Sequence, residues 1–128
     1  MPSIVSPFTV AARPAEPPSG EPPMRGRPTF DKEFTGPLLA RGVVEMTYAA
    51  GPDGPLAYVA LERIEGELDG RRGSFVLQHV GSTAGGEHTI ALTVLPRSGT
   101  GDLVGLEGSG TIVHLPDGPR LELDYELA

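Results

Sequence analysis

A chain of 128 residues has the length of one domain and can bury a single core. It contains no cysteine, which excludes disulfides, thiolate nucleophiles and cysteine metal sites, and its formal net charge is −7. The few Lys and Arg are scattered, which argues against a nucleic-acid surface. No apolar run reaches the roughly 20 residues of a membrane-spanning helix, and the N-terminus has no basic segment leading into an apolar one. The expectation is a cytoplasmic protein without nucleic-acid or membrane partners.

Eighteen glycines and fourteen prolines favour many turns, and helix periodicity is nowhere sustained, so the class is all-β. Residues 4–11, IVSPFTVA, read as a first strand that begins after Pro7, where the missing N–H does least harm. Residues 14–28, PAEPPSGEPPMRGRP, cannot bury a core and read as an extended, Pro-rich surface connection; a ligand for Pro-binding modules is the second reading. The chain thus divides into an N-terminal strand and connection, 1–28, and a β-barrel domain, 29–128.

TFDKEFTG, 29–36, is a short strand with Phe30 and Phe34 on one side. In LLARGVVEMTYAA, 38–50, Gly42, Val44, Met46 and Tyr48 share one parity, and the dense turn Gly51-Pro52-Asp53-Gly54-Pro55 follows. Residues 57–81 form the hairpin around which the rest is organised. Asp69-Gly70 between β-rich runs is a type I′ turn signal, since both central residues need positive φ. That turn pairs Leu68 with Arg71, Ile64 with Phe75, Glu62 with Leu77 and Ala60 with His79. One face then carries Tyr58, Ala60, Glu62, Ile64, Phe75, Leu77 and His79, and it is the more apolar of the two, so it faces inward.

HTIALTVLP, 88–96, alternates with Ile90, Leu92 and Val94 on one face, and LVGLEGSGTIVHL, 103–115, reads as the next strand. In RLELDYELA, 120–128, Leu121, Leu123, Tyr125 and Leu127 point in. Taking Asp117-Gly118 as the turn pairs Leu121 with His114, Leu123 with Ile112, Tyr125 with Gly110 and Leu127 with Gly108. Large residues opposite glycines suit a tightly curved wall. About eight strands in up-and-down order point to a single antiparallel barrel without exposed edges; a two-sheet sandwich is the open alternative.

Glu62 and His79 are diagonal neighbours on the inward face, about 7 Å apart at Cα. A carboxylate that orients an imidazole on an apolar wall makes a general base or acid; the alternative is a satisfied buried pair that fixes strand register. Tyr58, Met46, Tyr48, Phe75, Leu77, Ile90, Leu92 and Tyr125 are the candidates to line the lumen, with core filling as the alternative for each. His88 and His114 belong near barrel rims. A metal site would require His79, His88 and Glu62 to converge, and neither a metal nor another cofactor is expected. The glycine-rich SGTGDLVGLEGSG lacks the Lys of a phosphate loop and any following helix, and Ser98 and Thr100 have no nucleophile elbow around them.

The strings Ala57-Tyr58-Val59-Ala60-Leu61-Glu62, Gly70-Arg71-Arg72-Gly73-Ser74-Phe75-Val76-Leu77-Gln78-His79 and Ser98-Gly99-Thr100-Gly101-Asp102-Leu103-Val104-Gly105-Leu106-Glu107-Gly108 together resemble a bacterial family known only as a domain of unknown function. That family is grouped with the allene-oxide-cyclase-like barrels, and the resemblance covers residues 29–128. It implies an eight-stranded antiparallel barrel related to allene oxide cyclase and the dirigent proteins. Those relatives bind hydrophobic, reactive molecules in the barrel and steer ring closure or coupling without a cofactor. Their catalytic residues do not align with this chain.

Two readings follow. In the first, the lumen binds a hydrophobic small molecule, as a cofactor-free isomerase or cyclase in which Glu62 and His79 transfer a proton. In the second, the barrel is a non-catalytic carrier, or is filled and assembles as a homo-oligomer.

Overall fold

The computed structural model describes residues 2–21, 23–84 and 87–127. Its strands are β1 (Ser3–Ala12), β2 (Met24–Gly26), β3 (Thr29–Phe34), β4 (Leu38–Gly51), β5 (Gly54–Leu68), β6 (Arg71–Ala84), β7 (Glu87–Val94), β8 (Glu107–Leu115) and β9 (Gly118–Glu126), with a 3-10 turn at Gly101–Leu103. Consecutive strands from β3 to β9 pair antiparallel, β1 joins β9 to β3, and β4 pairs with β5. Those pairings close an eight-stranded barrel and rule out the sandwich. β2 lies outside the circuit, paired to the far end of β4.

The central hairpin has the register that its turn dictates. Asp69 and Gly70 take φ of 48° and 82°, and Leu68, Ile64, Glu62 and Ala60 face Arg71, Phe75, Leu77 and His79. The β8–β9 hairpin differs from expectation by two residues: Leu115 faces Gly118, so Pro116-Asp117 is the turn. Proline fixes φ at the first turn position and Gly118 supplies a φ of 131° just after it. Leu123 therefore stands opposite Gly110 and Tyr125 opposite Gly108. A shift of two preserves parity, so every side chain keeps its face.

β1 starts at Ser3, ahead of Pro7, instead of after it. Residues up to Pro7 pair with β9 and those from Phe8 onward with β3, so the proline sits where one ladder hands over to the next. The connection to β3 is not wholly irregular, because Met24–Gly26 forms the outer strand β2. Residues 103–106 are not strand. The 3-10 turn carries Leu103, and Leu106 follows it; both are 1 % exposed and plug one end of the barrel.

That plug defines a closed end, where the 69–70 turn and the 95–106 loop meet. Ser98 Oγ accepts from the Val76 N–H (3.0 Å), and Thr100 Oγ1 accepts from the Ser74 N–H (3.1 Å). An added Cβ on Gly73 would strike the Thr100 carbonyl, so glycine is what lets the loop seat. The Tyr125 hydroxyl donates to Asp69 across the same end. Leu38, Ile64, Leu68, Phe75, Leu77, Leu92, Val94, Leu121 and Leu123 pack the lumen there, each at most 2 % exposed, and each contributes about 1.5–3 kcal/mol by burial.

Candidate functional site at the open end of the barrel

Above this core the inward face turns polar. β3 alternates so that Phe30, Lys32 and Phe34 share one side, and Lys32 reaches into the barrel, 8 % exposed. Its Nζ donates to Glu62 Oε1 at 3.2 Å and lies 4.5 Å from the centre of the Phe8 ring. His79 Nε2 stands 2.8 Å from the same oxygen, with Glu62 fully buried and His79 3 % exposed. Glu62 Oε2 is enclosed with no partner among the described residues, and it lies over Gly42, where any Cβ would collide with it.

The donors assign the protons. Lys32 can only donate, so Glu62 receives it as an acceptor, and an imidazole nitrogen facing the same carboxylate oxygen must donate as well. Nε2 thus carries a hydrogen. Nδ1, which has no hydrogen-bond partner among the described residues, is left as the unpaired edge of the ring. This is the arrangement in which a carboxylate fixes the tautomer of a general base.

Beyond the triad the wall is inward by register yet open to solvent. Val10 shares the face of Lys32 but is 50 % exposed; Ile90 and Ile112 are half-buried; His88 and His114 are exposed. Met46, Tyr48, Leu56, Tyr58, Gly81 and His88 line an apolar concavity of about 300 Å³ here. The Tyr58 ring lies across Gly81, on the spot where a Cβ would stand, so the glycine makes room for it. Burial raises the Tyr58 pKa above its usual 10.0, which keeps the phenol a hydrogen donor. Ala60 stands opposite His79 and Tyr58 opposite Gly81, so the pocket floor is the next register step out from the imidazole.

Residues 4–127 match the family described as a protein of unknown function (DUF3224). The chain belongs to this family. A crystal structure of a DUF3224 protein of unknown function from Shewanella oneidensis MR-1 matches it with a TM-score of 0.89 at 35 % identity, covering 100 % of this chain and 98 % of that one. No curated protein matches.

In this DUF3224 chain the structure brings together Glu62 and His79, and separately Met46, Tyr48 and Tyr58 around the concavity. It does not bring Phe75, Leu77, Leu92 and Tyr125 to that concavity: all four lie in the packed core, and Ile90 rests against its edge. His88 pairs with Thr83 Oγ1 at 3.3 Å, and among the described residues no group of three His, Asp or Glu side chains is placed to hold a metal. Lys32 is the buried member of this cluster that the sequence does not single out. Its signal was its parity with Phe30 and Phe34, which puts a lone ammonium on an apolar row.

Proposed function

We propose that the open end of the barrel binds a small, largely apolar molecule and that Glu62 and His79 move a proton on it, making the protein a cofactor-free isomerase or cyclase. The observation that carries this reading is the dyad's place: a carboxylate-bound imidazole with a free Nδ1, next to an apolar concavity. Nδ1 accepts a proton from an acidic C–H or O–H of the ligand and returns it at another atom, so the step is redox-neutral and needs no co-reactant. Tyr58 donates a hydrogen bond to a ligand oxygen. The apolar walls restrict conformation and exclude water, which is where most of the rate gain arises. His79 is only 3 % exposed, so contact is limited to the innermost atoms of the ligand.

A relation to the allene-oxide-cyclase-like barrels, a cytoplasmic location and the absence of nucleic-acid or membrane partners belong to the same proposal. The charge of −7, with few basic residues, supports the lack of a nucleic-acid partner. The packed closed end favours a second reading, a carrier or filled barrel without chemistry.

Turnover separates the two. The molecule extracted into organic solvent from protein purified from its own cells is offered back to the enzyme. Wild type should convert it, and His79→Ala and Glu62→Gln should slow conversion by at least about tenfold with the far-UV spectrum unchanged. Full activity in both variants removes the proton-transfer role, and an inert wild type leaves the carrier.

A further inference from the structure

The outside of the barrel holds a second anomaly. Across β4, β5 and β6 the outward residues form rows: Val43, Arg63 and Val76; Glu45, Leu61 and Gln78; Thr47, Val59 and Val80. Val59, Leu61 and Val80 are 56 %, 51 % and 42 % exposed. The surface over them is concave, with a groove of about 630 Å³ along Val43, Leu61 and Val76 continuing past Glu45 and Leu61 into one of about 530 Å³ at Val59 and Val80. Scattered exposed aliphatic residues are ordinary, whereas a contiguous apolar groove rimmed by charge marks an interaction surface.

The charges indicate what covers it. Arg41 and Arg63 alternate with Glu45 and Glu65 on this one face, although the chain as a whole carries −7. A strongly acidic or basic partner would meet like charge at half of these positions. A second copy of the same face does not, because a two-fold rotation exchanges the rows. Glu45 and Arg63 stand one row apart; Arg63 reaches Glu65 along its own exposed strand, a weak surface pair, and Glu45 has no ion-pair partner among the described residues. With the axis between them, Arg63 of each copy meets Glu45 of the other, and Leu61 packs against its equivalent. The pairing of the strands strengthens the argument, since β5 lies between β4 and β6, and these are in turn flanked by β3 and β7, so this face offers no strand edge and association here runs face to face.

We propose that the outer face of β4–β6 joins two copies of this chain about a two-fold axis, with Leu61 at its centre and reciprocal Arg63–Glu45 pairs beside it.

Sedimentation velocity over about 1–100 µM of the full chain tests this. Wild type should be a dimer in that range, and Leu61→Glu a monomer with an unchanged far-UV spectrum. Glu45→Arg and Arg63→Glu, run separately, should each weaken dimerisation by at least about tenfold. Mixed in equal amounts they should recover a heterodimer, because both reciprocal contacts are again between opposite charges. This recovery is the result that a general loss of folding cannot produce. A wild-type monomer overturns the proposal, as does a trimer, which no two-fold axis generates. A dimer indifferent to Leu61→Glu places the contact elsewhere, and failure of the mixture to reassociate overturns the reciprocal pairing.

Discussion

Replacing Lys32 by Met separates the buried triad into its parts. The substitution keeps the chain length of the stem between Phe8 and Phe34 but removes the ammonium, so Glu62 retains His79 as its remaining partner while its Oε2 still has none. Breaking a buried ion pair from one side costs about 3–5 kcal/mol, because the abandoned charge stays desolvated. For a domain of this size each kcal/mol moves the melting temperature by about 3–5 °C, so a drop of about 10–20 °C is expected. Urea unfolding at pH 7, followed by far-UV circular dichroism, measures the free-energy loss, with an unchanged m-value showing that the same surface is exposed, and a thermal melt reads the drop in temperature. The double variant Lys32→Met with Glu62→Met should recover most of the loss, giving a coupling energy of at least about 2 kcal/mol. A loss below about 1 kcal/mol in the single variant would mean that the pair is solvated, as exposed ion pairs are, and would refute the buried triad.

Other consequences are simpler. Gly42→Ala should destabilise by about 1–3 kcal/mol, since the new methyl takes the place of Glu62 Oε2, and the same urea titration reads it. Asp69→Ala should cost about 1–3 kcal/mol, through the φ of 48° and the lost acceptor of the Tyr125 hydroxyl, whereas Tyr125→Phe should cost only about 1 kcal/mol. Burial raises the phenol pKa of both Tyr58 and Tyr125 above 10.0, and the hydrogen bond to Asp69 adds to the effect for Tyr125. Below pH 10 both are neutral in folded and unfolded chains and their contribution is complete. Above it the unfolded chain releases protons first, so stability falls as pH rises through the folded values. Urea midpoints should be level to about pH 9 and decline beyond about pH 10, less steeply in Tyr58→Phe and Tyr125→Phe.

Most of the barrel was legible because its local signals are strong. Asp69-Gly70 fixes a register, and a register fixes which side chains are inside, so Glu62 and His79 could be placed on one inward diagonal before any coordinates. At the β8–β9 hairpin, Pro116-Asp117-Gly118 offers two overlapping turns that sequence alone does not rank. The faces survived only because the two alternatives differ by an even number of residues. Leu103 and Leu106 lie in the run that leads directly into β8 and so read as its start, although their spacing of three is not a strand's alternation, while their real partners are the side chains inside the closed end, contributed by strands distant in sequence. Lys32 was hidden for the opposite reason. Charged residues in a short strand normally mark its wet side, and only its two flanking phenylalanines contradict that rule.

The central claim is that the open-end concavity holds a ligand beside His79. Native mass spectrometry of the protein from its own cells tests it against Gly81→Val, in which the added side chain must displace the Tyr58 ring and fill the floor of the concavity. The account predicts one small apolar molecule bound per chain in the wild type and its loss from the variant, with both chains folded. An empty wild type, or equal occupancy in the two, would contradict it.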